Sequence, residues 1–195
     1  MKMKKKTDAF SDFKQLCLDI LAHSNNCDES RAAIAECTSV PQIVQVWKRY
    51  MDGILSEVPA LVLDAFSRLY AKYKDEINLA EVYYNEPAAR GIIFVGDMDK
   101  PLRVYGVGPS APKVYVLGRA HVILLGTCQG YCNAEGAVLE LLDSTSGTVK
   151  RGHGIVRNFA RVVCSSSCEC YNASMVTLSD GARVEDNGHR RIINL

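Results

Sequence analysis

Short alternating runs of apolar and polar residues recur through the second half of the chain. From about Val104 onward, an apolar or β-branched residue opens a run that closes on a small turn residue, roughly every eight positions. The clearest units are AHVILLG (120–126), TVKRGHG (148–154), RVVCSSS (161–167), MVTLSDG (175–181) and ARVEDNGH (182–189), with GAVLELLDS (136–144) as a looser copy. Each unit predicts one short strand and one turn. Self-similarity at a short period is typical of a solenoid, in which stacked neighbours supply the core that one unit cannot form alone.

The first part of the chain follows a helical period instead. Apolar residues at helical spacing and polar stop signals predict four helices: one from about Phe13 to Leu21, one over 28–37, one from an N-cap at Ser39 to about 54, and one from about Pro59 to 75. The Glu86-Pro87 step then interrupts the helical pattern, and residues 92–95 read as a buried strand.

These patterns predict an α+β fold with an N-terminal helical bundle followed by a short parallel β-helix. We assign residues 1–80 to the bundle, 81–103 to a connecting segment with a capping strand, and 104–195 to the β-helix repeats. A terminal strand of this kind provides the cap that the ends of a solenoid require.

Composition favours a globular protein without a membrane segment. The chain has 195 residues, 48% of them apolar, and a formal net charge of +1, so no overall field attracts it to nucleic acid or lipid. No uncharged apolar run approaches the roughly 20 residues needed to cross a bilayer, and the MKMKKK start leads into polar residues rather than a signal-peptide segment. We therefore expect a cytoplasmic protein.

The cysteines of the repeats are the candidate metal ligands. Stacked coils bring residues that are distant in sequence to within about 4.8 Å, so thiols of different coils can meet. Zinc accepts four thiolates, or three with a histidine such as His121 or His153. Two interpretations compete with zinc: a ladder of buried thiols acting as small core residues, with no cofactor, and a redox pair. The candidates are Cys128, Cys132, Cys164, Cys168 and Cys170.

Basic residues form a second pattern, which predicts a binding surface on the outside of the solenoid. With the tyrosines at 105, 115, 131 and 171 interleaved among them, they offer phosphate contacts and stacking platforms for single-stranded nucleic acid. The competing interpretation is a solvated face of mixed charge, since acidic residues such as Glu140 are scattered between them. The basic residues are Lys150, Arg151, Arg157, Arg161 and Arg183.

The repeat pattern resembles the β-helical tails of phage and prophage proteins. The resemblance covers about residues 104–189, and Ala182-Arg183-Val184-Glu185-Asp186-Asn187-Gly188 is the closest copy of their V-x-small-x-Gly/Asp repeat. It implies a β-helix and an origin in a mobile element, and it carries no catalytic residues.

The leading functional hypothesis is a non-enzymatic interaction protein. It presents a β-helix face, or the helical surface around Trp47 and Tyr50, to a protein or ribonucleoprotein partner. A more specific form of this hypothesis follows from the resemblance to phage repeats: an inhibitor of a bacterial defence complex, such as a CRISPR nuclease. Two alternatives stay open: a zinc- or cysteine-dependent enzyme, and a structural module that assembles into homo-oligomers through its coil ends.

Overall fold

A computed structural model describes residues 9–22, 28–57, 59–172, 174–179, 181–187 and 191–194. The chain forms two compact units, Met1–Ala80 and Glu81–Leu195. The first is helical and the second is a parallel β-solenoid of about five turns, which confirms the predicted α+β class.

The helical unit contains α1 (Ala9–Leu21), α2 (Asp28–Glu36), α3 (Val40–Glu57) and α4 (Pro59–Leu79). The N-terminus of α3 follows Ser39, as predicted, although the Gln42 side chain accepts hydrogen bonds from Thr38 rather than from Ser39. Aromatic rings fill the core, where Phe13 stacks on Trp47 at 6.4 Å between centroids and Trp47 lies 5.7 Å from Phe66. None of the described helices is both long and apolar enough to cross a membrane.

The solenoid strands form two stacks, here called the first and the second sheet. The first sheet runs β1 (Val82–Tyr84), β2 (Ile92–Val95), β4 (Lys113–Val116), β6 (Gln129–Leu141), β7 (Ser146–Val156), β8 (Arg161–Cys164), β10 (Met175–Leu178) and β12 (Arg191–Asn194). The second sheet runs β3 (Leu102–Gly106), β5 (His121–Gly126), the second halves of β6 and β7, β9 (Ser167–Cys170) and β11 (Arg183–Asp186). All of these pairs are parallel, and each coil contributes one rung to each sheet.

The segment 81–103 pairs with the repeats. The predicted strand over 92–95 is present as β2, and its neighbours in the first sheet are β1 and β4. β3, which begins at Leu102, is the first rung of the second sheet and pairs with β5. This segment therefore belongs to the solenoid unit.

Strict alternation gives the solenoid its core. Val122 and Leu124 of β5 point inward and are fully buried, and Leu139 and Leu141 stack directly over them in β6. The residues between them point outward and stay partly exposed. Period-two side chains on these rungs thus leave the outer face of the second sheet open to solvent or to a partner, whereas β2 of the first sheet is buried on both faces.

One corner of each coil needs a left-handed residue. Gly126 has a φ of +77°, and Asp143, Asn158 and Asn172 occupy the same kind of corner after the following second-sheet rungs, with φ of +58°, +58° and +56°. Glycine, asparagine and aspartate are the residues that tolerate this region at least cost. Gly126, which closes the sequence unit 120–126, is therefore fixed by backbone conformation, whereas Gly154 and Ser167, which close two other units, lie within strands.

Candidate functional site

The outer face of the second sheet carries a chain of hydrogen-bonded polar side chains, here called the polar network. Its members come from four successive rungs, so register rather than sequence proximity brings them together. His121, Val138, His153 and Ser167 form one column, and Ile123, Glu140, Ile155 and Glu169 form the next. The members of the polar network are His121, Glu140, His153, Arg157, Ser167, Glu169 and Tyr171.

Glu140 is the acceptor at one end of the polar network. The Nε2 atom of His121 lies 3.2 Å from one carboxylate oxygen, and the Arg157 Nε donates to the other at 3.0 Å. The Glu140 side chain is only 16% exposed, so solvent screens these contacts less than it screens ordinary surface ion pairs. The carboxylate is therefore bound by one side chain from each neighbouring coil, His121 and Arg157.

Glu169 is the acceptor at the other end. The Tyr171 hydroxyl donates to it at 2.6 Å, and the Nε2 atom of His153 lies 3.1 Å from its second oxygen. The Nδ1 atom of the same imidazole is 2.9 Å from the Ser167 hydroxyl. The hydrogen bond from Tyr171 is the largest cause that lowers the pKa of Glu169 below its usual range, followed by the contact with His153.

Arg157 joins the two ends. Its guanidinium carbon lies 4.2 Å from the centroid of the Tyr171 ring while its Nε binds Glu140. This cation–π contact fixes the ring whose hydroxyl binds Glu169. The same carboxylate raises the pKa of the Tyr171 hydroxyl, because ionisation would lose the hydrogen bond and set two negative charges together.

An exposed apolar strip borders the polar network. Three large apolar side chains are among the most exposed in the described part of the chain: Tyr105 in β3 at 63%, Val107 just after β3 at 60%, and Phe159, which follows the left-handed Asn158, at 69%. Leu125 pairs with Tyr105 and is partly exposed, as is Leu142 on the following rung. We call Tyr105, Val107, Leu125, Leu142 and Phe159 the apolar strip.

The predicted basic residues lie on different surfaces of the solenoid. Arg157 and Arg183 are on the outer face of the second sheet, and Arg161 begins β8 in the first sheet. Lys150 and Arg151 lie where β7 passes between the sheets, with the Lys150 ammonium 5.8 Å from the Tyr131 ring centroid. They do not line up as one stripe, and of the five only Arg157 enters the polar network.

The two aromatic residues predicted on the helical surface differ in exposure. Trp47 is 5% exposed and packs between Phe13 and Phe66, which leaves almost none of its indole for a partner. Tyr50 is half-buried, with the Arg49 guanidinium 5.5 Å from its ring centroid. A shallow open cleft of about 430 Å³ between α2 and α3 is lined mainly by small and amide side chains.

The candidate zinc ligands are all buried in the solenoid core. Cys132 and Cys164 share a column of the first sheet but are separated by Val149. Burial raises the pKa of Cys132 to about 11, which opposes the thiolate form that a metal requires. Among the described residues, no three histidine, cysteine or acidic side chains are grouped so that they could hold a metal ion.

Sequence reasoning named Arg157, His121, His153, Glu140 and Tyr171 separately but did not join them into one network. The contacts between rungs join residues 14 to 19 positions apart, as in His153–Ser167 and His121–Glu140, so no run of neighbouring residues reveals the network. The sequence signal that could have found the network is the spacing of the left-handed corner residues. Aligning these residues gives the register of successive coils, provided that each coil is known to hold two strands.

The polar network satisfies its own charges, because each carboxylate faces a cation or a hydroxyl donor. Such a face is a pre-organised surface with a hydrogen-bonded polar part and an apolar edge. Comparisons with protein-family models, curated proteins and solved structures found no match for this chain.

Proposed function

We propose that this chain is a non-enzymatic interaction protein that binds a macromolecular partner through the outer face of the second sheet. The observation that carries the proposal is the apolar strip beside the polar network. Tyr105, Val107 and Phe159 keep three-fifths or more of their surface exposed. Leu125 and Leu142 lie on the rungs between Tyr105 and Phe159, and exposed apolar side chains grouped along one face mark interaction sites.

The composition of this face supports a protein partner. Its outward positions carry tyrosine, isoleucine, leucine, histidine and arginine together with three glutamates, and the described second-sheet rungs carry no lysine at these positions. Aromatic residues and arginine are enriched in the cores of protein interfaces, whereas lysine is depleted there. The lysines Lys113 and Lys150 belong to the first sheet or to its junction with the second.

The phage-type resemblance adds a finer form of this proposal, an inhibitor of a bacterial defence complex. That form rests on the repeat pattern alone, and the partner assay decides it. A self-assembling module is the competing form, and the mass of the isolated protein in solution distinguishes it.

The test is a tagged pull-down from bacterial lysate, with and without nuclease treatment. We compare the unmodified chain with the double variant Tyr105→Ala/Phe159→Ala and with Val163→Ala as the matched control. Val163 is 40% exposed but lies on the first sheet, so its variant removes apolar surface from the other face.

We expect one stoichiometric partner with the unmodified chain and with Val163→Ala, and its loss with the double variant. Insensitivity to nuclease identifies a protein surface, and sensitivity identifies an RNA or DNA component. Retention of the partner by a folded double variant, or equal loss with Val163→Ala, would refute this choice of face.

A further inference from the structure

The rung formed by β8 and β9 holds two buried thiols on opposite sides of one tight corner. Cys164 is the last residue of β8, and Cys168 lies four positions later in β9, with Ser165 and Ser166 turning the chain between the sheets. Both side chains point into the core, at 0% and 2% exposure. The polar network and the apolar strip use neither of them.

The adjacent rung shows how close these two positions are. Val149 is the register partner of Cys164, and Gly154 is the register partner of Cys168. A Cβ atom placed on Gly154 would lie 3.2 Å from the Val149 Cγ2 atom. The two positions therefore face each other at side-chain contact distance, and in the β8–β9 rung both are cysteines whose thiols hydrogen-bond to each other. The Cys168 thiol also contacts that of Cys170, two residues along the same strand.

We propose that Cys164 and Cys168 form a peroxide-sensitive dithiol that closes to a disulfide across this corner. The oxidant is hydrogen peroxide, which is close to water in size and so enters a core that excludes larger reagents. The site is distinct from the proposed binding face, and its chemistry needs no partner.

The reaction balances in two steps. The Cys164 sulfur attacks one peroxide oxygen, the O–O bond breaks, and the departing hydroxide takes the thiol proton to form water, which leaves a sulfenic acid. The Cys168 sulfur then attacks the Cys164 sulfur, the S–O bond breaks, and the second hydroxide leaves as water with the Cys168 proton. Both sulfurs are oxidised by one electron each, and the peroxide is reduced to two waters.

The contact between the two thiols favours a thiolate on one of them. It lowers the pKa of Cys164, because a thiolate there accepts the Cys168 proton, and the same contact raises the pKa of Cys168. We take Cys164 as the sulfur that attacks peroxide, and the Cys168→Ser variant tests this order.

The experiment maps reducible cysteines in the full chain after peroxide treatment. The protein is exposed to hydrogen peroxide, quenched with catalase, unfolded and blocked with N-ethylmaleimide, and then reduced and labelled with iodoacetamide. Tandem mass spectrometry locates each label, since the three cysteines of this region fall within one tryptic peptide. The matched control is Cys170→Ser, which removes a buried thiol from the same strand and keeps the pair.

In the unmodified chain and in Cys170→Ser, we expect the iodoacetamide label on Cys164 and Cys168 together. Before reduction, we expect the intact mass of the oxidised protein to be lower by two hydrogens. In Cys168→Ser, we expect Cys164 to gain oxygen instead. The iodoacetamide label on Cys168 and Cys170, or no reducible pair under conditions that oxidise methionines of the same sample, would overturn the proposal. The cysteine map of the unmodified chain is sufficient to test the proposal, so the test does not require that any variant folds.

Discussion

At the scale of single residues, Tyr171 is the most informative side chain of the polar network. Its ring contacts the Arg157 guanidinium and its hydroxyl binds Glu169, so it connects the two carboxylate ends of the network. Replacing only the hydroxyl separates these two roles. Tyr171→Phe keeps the ring on Arg157 and removes the hydrogen bond.

We expect Tyr171→Phe to destabilise the fold more at pH 7 than at pH 3. The pKa of Glu169 is lowered in the folded chain, so its contribution to stability is present above the unfolded carboxyl pKa, about 4.3, and is lost as pH falls through the folded value. The measurement is the free energy of urea unfolding at both pH values. Tyr105→Phe is the control, because that tyrosine is exposed on the same sheet. An equal loss at both pH values would show that the hydroxyl does not act through the Glu169 charge.

At the scale of the element, each second-sheet rung separates core from surface by alternation alone. Leu141 and Leu142 are adjacent at the end of β6, yet Leu141 is fully buried and Leu142 is partly exposed. Two neighbouring leucines thus have different roles. Leu141 fills the space between the sheets, and Leu142 belongs to the apolar strip.

Leu141→Ala should cost about 2–5 kcal/mol of unfolding free energy, because it leaves a cavity between stacked rungs. Leu142→Ala should cost less than about 1 kcal/mol, since it removes partly solvated surface. Urea denaturation followed by circular dichroism measures both values. If the two variants lost equal stability, the inward and outward assignment of this rung would be wrong.

Helices and strands differ in how directly the sequence marked them. The four helices are present where their caps and apolar spacing predicted them, because those signals act within a few residues. The unit TVKRGHG, in contrast, lies within one long strand that passes from the first sheet to the second. The corner falls inside the unit, at Gly152 with a φ of +95°, and not at the Gly154 that closes it.

At the scale of the whole molecule, the solenoid core protects its thiols from bulky reagents. The five cysteines of the repeats are at most 2% exposed and pack among aliphatic side chains. Burial raises the pKa of Cys132 to about 11 and also raises that of Cys128. Low access together with little thiolate makes Cys128 and Cys132 slow to alkylate. For Cys164, whose pKa is lowered by the contact with Cys168, burial alone limits access to the reagent.

We therefore expect N-ethylmaleimide to leave Cys128, Cys132, Cys164, Cys168 and Cys170 unmodified in native buffer and to label all five in concentrated urea. Peptide mapping of short reaction times measures the modified fraction at each site. Rapid native labelling of any of the five would place that thiol on the surface and would contradict the solenoid core described above.

The α+β fold class could be predicted from the sequence alone, because alternation, helical spacing and turn residues are local signals. A period-two run exposes one face of a strand whatever lies beside it, and glycine, asparagine or aspartate marks a left-handed corner wherever the backbone needs one. Which outward side chains contact one another depends on how the coils stack, and the sequence alone did not predict this. The corners differ in length, so contacts across rungs join residues 19, 17 and 16 positions apart. The polar network therefore depends on register, which the stacking of whole coils sets and no single segment encodes.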